Sequence, residues 1–146
     1  LRHPWLALLL LAVLIPNPIW RAHPQPSRTT VPSGAEPWTE AQAATYVARG
    51  HPVFVYFTAD WCLTCKVNEA GAIDRDEVRA AFEKAGVKVL AGDWTNGDPA
   101  ITRFLESRGR AGVPFSLWYA PGKEPEELPQ VLTPGMLISR AQSAKG

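Results

Sequence analysis

The chain has 146 residues, 15 Lys and Arg against 14 Asp and Glu for a net charge of +1, two cysteines and 14 prolines. That length fits one domain plus an extension, and near-neutral charge without a Lys/Arg-rich run argues against a nucleic-acid surface. Two cysteines do not make a disulfide scaffold, and His3, His23 and His51 offer no paired spacing for a zinc ion that takes about four ligands.

Residues 5–15 are an uninterrupted apolar run between Pro4 and Pro16, with Arg2 just before it. As a helix the run would extend about 16 Å against a hydrocarbon core of about 30 Å, so it cannot span a bilayer as it stands. Because the chain opens on Leu1, the run reads as the tail of a longer transmembrane helix. A signal peptide is the alternative, although no A-x-A cleavage site follows, and a buried core helix is the third reading. From residue 16 to 36 the chain carries Pro16, Pro18, Pro24, Pro26 and Pro32 among Asn, Ser, Thr and Gly, the composition of an extended, semi-rigid tether. The expected organisation is an apolar membrane-segment remnant or signal-like run at 1–15, a Pro-rich linker at 16–36 and one folded domain at 37–146.

In that domain Thr39 and Gln42 form a capping box for a helix that Gly50 ends. Residues 53–58 lack polar alternation and predict a strand buried on both faces. A helix opening at Cys62 is expected to run to about Ala70 and break near Gly71, with a second starting after Asp74 and Glu77 in the capping-box position. Residues 87–94 predict the next strand, and Asp98-Pro99 supplies an N-cap and first-turn proline for a helix over 100–108. Then come a strand at 115–119, a turn at Ala120-Pro121-Gly122, a solvated acidic stretch at Glu124, Glu126 and Glu127, and a short strand near 130–132. A helix capped by Thr133 with Pro134 in its first turn closes the domain. Strands alternating with helices, then a hairpin, predict an α/β fold with a mixed central sheet flanked by helices.

The chemistry concentrates in Ala59-Asp60-Trp61-Cys62-Leu63-Thr64-Cys65-Lys66, where both cysteines stand three apart. On a helix of 3.6 residues per turn, both sulfurs fall on one face of the first turn, close enough to form a disulfide. Cys62 then lies at the amino-terminal end, where free N–H groups and the helix dipole favour a thiolate. A thiol of pKa about 8.5 drops to roughly 3.5–7.5 in such a motif, while Cys65, a turn further in, stays protonated until needed. The pair is a two-electron switch in which one sulfur attacks a partner's disulfide and the other resolves the mixed disulfide. A purely structural bridge is the weaker reading, because the stabilisation from a cross-link grows with loop length and this loop is short.

The stretch V-F-V-Y-F-T-A-D-W-C-L-T-C-K-V-N-E resembles a thioredoxin-family active site, and is similar in particular to the C-terminal domain of DsbD/ScsB-type transmembrane thiol:disulfide interchange proteins. Further pieces of that domain recur as Asp93-Trp94-Thr95, Gly109-Arg110-Ala111-Gly112-Val113-Pro114 and Leu128-Pro129-Gln130-Val131-Leu132-Thr133-Pro134, so the resemblance runs from about Trp38 to Ala141. It implies a thioredoxin fold, a protein-disulfide reductase, and no cofactor beyond the redox-active Cys62/Cys65 couple. It also implies a membrane-embedded thiol pair as electron donor, a periplasmic thiol-disulfide protein or domain as acceptor, and a place on the periplasmic side of a bacterial inner membrane. Arg21 and Arg28, which follow the apolar run, weakly favour the opposite side by charge alone. Two other readings stand beside this one: a separate membrane-tethered thioredoxin-like reductase, for instance in cytochrome c maturation, and a non-catalytic binding module with incidental thiols.

The resemblance assigns supporting roles as well. Trp61 is expected to shield one side of the sulfurs, and Asp60 is near enough to act electrostatically or merely to flank the helix. Lys66 reads equally as a neighbour of the thiolate and as a solvated lysine. Val113-Pro114 matches the position of a cis-proline beside the C-x-x-C motif, which would turn the Val113 backbone toward a partner's extended chain; the plain reading is a proline that starts a strand. One departure stands out. Where thioredoxin-like proteins commonly bury an acid six residues before the first cysteine, this chain has Tyr56, whose phenol of pKa about 10 is a poor acceptor at neutral pH. Glu69, four residues after Cys65 and so on the same helical face, is the candidate proton acceptor in its place; the alternative is an exposed, unpaired glutamate.

Overall fold

In the computed structural model, which describes residues 34–144, the sheet is built around β2, Val53–Thr58, all six residues of which are buried. A strand covered on both faces is apolar throughout, and β2 reads Val-Phe-Val-Tyr-Phe-Thr. Its neighbours are β3, Lys88–Asp93, in parallel, and β4, Phe115–Tyr119, antiparallel, so Val55 lies opposite both Leu90 and Leu117. Two-residue strands complete the edges: β1, Glu36–Pro37, beside β3 and β5, Glu126–Glu127, beside β4, giving the order β1-β3-β2-β4-β5. The mixed central sheet that the alternation of elements predicts is present.

Helices cover both faces. Side chains of a strand alternate between faces, and from β2 Phe54 and Tyr56 meet α3, Asp76–Ala85, and α5, Pro134–Ser143, through Val78, Phe82, Leu137 and Ala141. Val53, Val55 and Phe57 point the other way onto Trp38 and onto Ile101, Phe104 and Leu105 of α4, Pro99–Ser107. Gly92 of β3 lies opposite Phe57 because a Cβ there would fall within the Phe57 ring. Three caps stand where the sequence places them: Thr39 accepts from the Gln42 N–H at α1, Glu40–Ala48, Asp98 from Ala100 and Ile101, and Thr133 from Met136.

Five local expectations are corrected. The chain does not break near Gly71: α2, Leu63–Asn68, runs directly into a π-helical turn, Glu69–Ile73, closed by the Asp74 N–H on the Glu69 carbonyl at 2.8 Å. The next helix is preceded by Arg75 with no side-chain cap, and Glu77 pairs with Arg75 at 3.3 Å instead of closing a capping box. The last strand is Glu126–Glu127 and not 130–132: after Leu128 bonds Ser116, the Gln130 carbonyl and the Leu132 N–H turn to the Asn68 side chain and not to β4. Glu126 and Glu127 are consequently not a free acidic loop but partners of Arg140, at 2.6 Å, and of Arg110. Glu36, the last residue of the stretch read as linker, pairs with Leu90 as a strand. The apolar run and residues 16–33 lie outside the described residues, among which no helix is long and apolar enough to cross a membrane.

Candidate functional site

Strand β2 ends at Thr58 and delivers the chain through Ala59-Asp60-Trp61 to Cys62, the N-cap of α2. The Cys62 sulfur accepts the Cys65 N–H at 3.2 Å, the position a capping oxygen would take. Cys62 and Cys65 are joined as a disulfide with their Cα atoms 5.2 Å apart. Cys62 is 7% exposed and Cys65 2%, so Cys62 is the more accessible of the two. An N–H aimed at Cys62 at the head of a helix stabilises a thiolate once the bond is reduced.

Two loops frame the sulfurs. Val113 packs against Ala59, Cys62 and Cys65, and the Val113–Pro114 peptide bond is cis, as the resemblance implies. On the other side, Asp93-Trp94-Thr95 holds the segment before Cys62: the Thr95 hydroxyl accepts the Asp60 N–H at 2.9 Å, and its carbonyl accepts the Trp61 indole N–H at 3.1 Å. Thr95 is in turn fixed by hydrogen bonds from its N–H and hydroxyl to Asp93. The Trp61 ring is thus held 6.0 Å from that of Trp94 and remains 61% exposed, a wall beside the site and not part of the core.

Beneath the helix Glu69 is buried, so the reading of an exposed, unpaired glutamate is corrected. Its Oε2 receives the Thr58 hydroxyl at 3.3 Å and the Lys66 ammonium at 3.1 Å, and its N–H donates to the Cys65 carbonyl. Lys66 also lies 3.8 Å from exposed Asp60, which makes it the counter-ion of a buried carboxylate and not simply a solvated lysine. Sequence reasoning gave Thr58 no role, marked Thr95 only as part of the recurring Asp93-Trp94-Thr95 piece, and missed Asn68. That buried amide donates to the Gln130 carbonyl at 2.7 Å and accepts the Leu132 N–H at 2.9 Å, fastening residues 130–132 to α2.

Tyr56 borders with Cys65 a cavity of about 10 Å³ that Thr58, Asn68, Pro114 and Ser116 also line. Burial, with the Glu69 and Asp74 carboxylates adding to it, pushes the Tyr56 phenol far above its ordinary value, so it is neutral at physiological pH and cannot serve as the base. Its hydroxyl has no hydrogen-bond partner among the described residues. A phenol raised in the folded state adds stability that is present below its unfolded value of about 10 and is lost as pH climbs above it. Tyr56→Phe is therefore expected to leave unfolding free energy at neutral pH unchanged or raised by up to about 1–3 kcal/mol, and to lessen the alkaline loss. Denaturant titrations at neutral and alkaline pH read both effects; a clear loss of stability at neutral pH would show that the hydroxyl is satisfied. Among the described residues no group of three or more His, Cys, Asp or Glu is placed to hold a metal ion.

Comparison with known proteins agrees with this geometry. A family model described as thioredoxin-like matches residues 35–121. The chain is 34% identical over 73 residues to thiol:disulfide interchange protein DsbD 1 of Pseudomonas aeruginosa, a match covering 50% of this chain and 12% of that protein. It is 32% identical over 89 residues to DsbD of Klebsiella pneumoniae, covering 60% and 14%. The chain thus spans a small fraction of these relatives' length. Among solved structures, the oxidised C-terminal domain of Neisseria meningitidis DsbD superimposes with a TM-score of 0.59 at 22% identity, covering 75% of this chain and 98% of that domain. With the fold, the C-x-x-C pair and the matched span in agreement, the chain belongs to the thioredoxin-like family, as a domain similar to the C-terminal domain of DsbD.

Proposed function

We propose that the domain is a thiol:disulfide oxidoreductase that takes two electrons from a membrane-embedded thiol pair and passes them to the disulfide of a periplasmic protein or domain. The observation that carries the reading is the Cys62–Cys65 disulfide at the head of α2, with the more accessible sulfur capped by an N–H and the cis Val113–Pro114 bond beside it. In the reduced protein the Cys62 thiolate attacks one sulfur of the partner's disulfide, and the partner's other sulfur leaves as a thiolate. Cys65 then gives up its proton and attacks Cys62, which restores the Cys62–Cys65 bond and releases the partner as a dithiol. The donor pair reduces Cys62–Cys65 by the same exchange in reverse. Val113 packs against both cysteines, and its backbone is the group that pairs with the partner's extended chain.

The membrane and periplasmic placement rests on the similarity to DsbD and on the apolar run at residues 5–15, which would anchor the domain through the Pro-rich tether. Reduction of insulin by the purified chain, with dithiothreitol as the electron source, tests the chemistry. Precipitation of the insulin B chain is expected well ahead of dithiothreitol alone; no acceleration would sink the oxidoreductase reading in favour of a binding module.

A further inference from the structure

Two side chains of α2 are buried, Cys65 and Asn68, and their spacing of three puts them on one inward face, a turn apart. The exchange of sulfurs accounts for the first and leaves the second unexplained. A buried primary amide needs partners for both its ends, and Asn68 finds them on one backbone segment. Its NH2 donates to the Gln130 carbonyl at 2.7 Å, and its carbonyl accepts the Leu132 N–H at 2.9 Å. A carbonyl on one side and an N–H on the other fit an amide in a single orientation; neither a carboxylate nor an apolar side chain meets both. What this clamp carries is Leu132. That side chain is buried and, with Asn68, Pro114 and Ser116, walls the cavity of about 10 Å³ that also touches Cys65. The volume admits one water at most.

We propose that Asn68 is a positioning residue that acts on Cys65 through Leu132. By clamping residues 130–132 to α2 it keeps Leu132 in the wall of the cavity, closes the inner side of Cys65 to water and outside reagents, and confines exchange with partners to Cys62. A thiolate is costly where water is withheld, so a sealed Cys65 stays a thiol, and a thiol neither attacks a disulfide nor captures a partner out of turn. Local opening of the segment is the route by which a reagent reaches the sulfur. The clamp sets how rare that opening is, because parting it leaves a buried carbonyl, a buried N–H and both ends of the amide without partners. The catalytic use of the seal rests on the oxidoreductase reading; the sealing itself does not.

The test reads Cys65 by itself, in the full chain carrying Cys62→Ser, where it is the one cysteine left and no electron transfer takes part. Its sulfur displaces iodide from iodoacetamide, and mass spectrometry follows the rate from neutral to alkaline pH. Adding Asn68→Ala is expected to speed alkylation at neutral pH about tenfold and to lower the pH at which the rate is half-maximal. Asn68 is neutral, and the titratable side chains around the site, Asp60, Lys66 and Glu69 beside α2 and Tyr56 on β2, stay in place, so the shift in pH profile reports water reaching the sulfur and not a lost charge. An unchanged rate and profile would overturn the seal. So would rapid hydrogen exchange at the Leu132 N–H of the unaltered chain, since the clamp would then be open. Exchange at the β2 amides shows whether Asn68→Ala keeps its fold. If it does not, Leu132→Ala decides: it retains the Leu132 N–H and both clamp bonds but removes the apolar wall, the same acceleration is expected, and an unchanged rate overturns the proposal. Failure of the unaltered chain to reduce insulin, with Cys65 still unsealed by either variant, would overturn the oxidoreductase reading and leave the seal standing.

Discussion

Cys62→Ser is expected to reduce insulin no faster than dithiothreitol alone, whereas Cys65→Ser is expected to accumulate as a covalent adduct with its substrate. The two sulfurs differ in what the fold gives them. Cys62 is the more exposed of the pair, caps α2 and receives the Cys65 N–H at 3.2 Å, so it is the sulfur expected to carry the thiolate and to meet the partner first. Cys65 is the more deeply buried of the two and is bonded to Cys62. Removing Cys62 therefore removes the attack, and removing Cys65 leaves the attack intact but deletes the group that resolves the mixed disulfide. Non-reducing gels would show the adduct, and iodoacetamide at neutral pH is expected to modify Cys62 ahead of Cys65 in the reduced protein. Faster alkylation of Cys65 would reverse the assignment.

What the sequence makes legible here is what neighbours along the chain decide. The apolar run of β2, the caps at Thr39, Asp98 and Thr133, and the Cys62/Cys65 spacing are each written within a few residues, and each stands where the sequence puts it. The parts that were not legible depend on partners remote in sequence. Asn68 reads as an ordinary polar position on a helix until residues 130–132 fold against it, 62 to 64 residues away. Thr95 is another such case, since nothing near it foretells that it latches Asp60 and Trp61, 35 and 34 residues earlier. The π-helical turn at Glu69–Ile73 was hidden for a different reason: Gly71 suggests a break, but the helix survives there by widening one turn, which swings Glu69 into the interior instead of ending the chain's coil. At residues 130–132, the apolar Val131 and Leu132 have the composition of a strand, yet Asn68 takes the hydrogen bonds a neighbouring strand would have supplied.

Glu69→Gln is expected to slow resolution of the mixed disulfide while leaving the initial attack by Cys62 nearly unchanged. Cys65 has to lose a proton before it can attack, and the position where related proteins commonly bury an acid holds Tyr56, a phenol that burial keeps neutral. Glu69 is the buried carboxylate on the same stretch of helix, its N–H bonded to the Cys65 carbonyl and its side chain anchored by Thr58 and Lys66. That anchoring matters to the chemistry, because it holds the carboxylate under the helix with the Lys66 ammonium beside it. A proton handed from Cys65 to Glu69, directly or through one water, is general-base help of the kind worth about 10² to 10⁴-fold. Gln keeps the size and the acceptor for the Thr58 hydroxyl but cannot take a proton, so the substitution separates the acid-base role from a structural one. Stopped-flow traces near neutral pH resolve the two steps: the mixed disulfide forms at the unaltered rate and then persists. Resolution at the unaltered rate would clear Glu69 of the role and leave solvent or exposed Asp60 to accept the proton, while a parallel slowing of both steps would show that Glu69 acts on the fold of α2 and not on the proton.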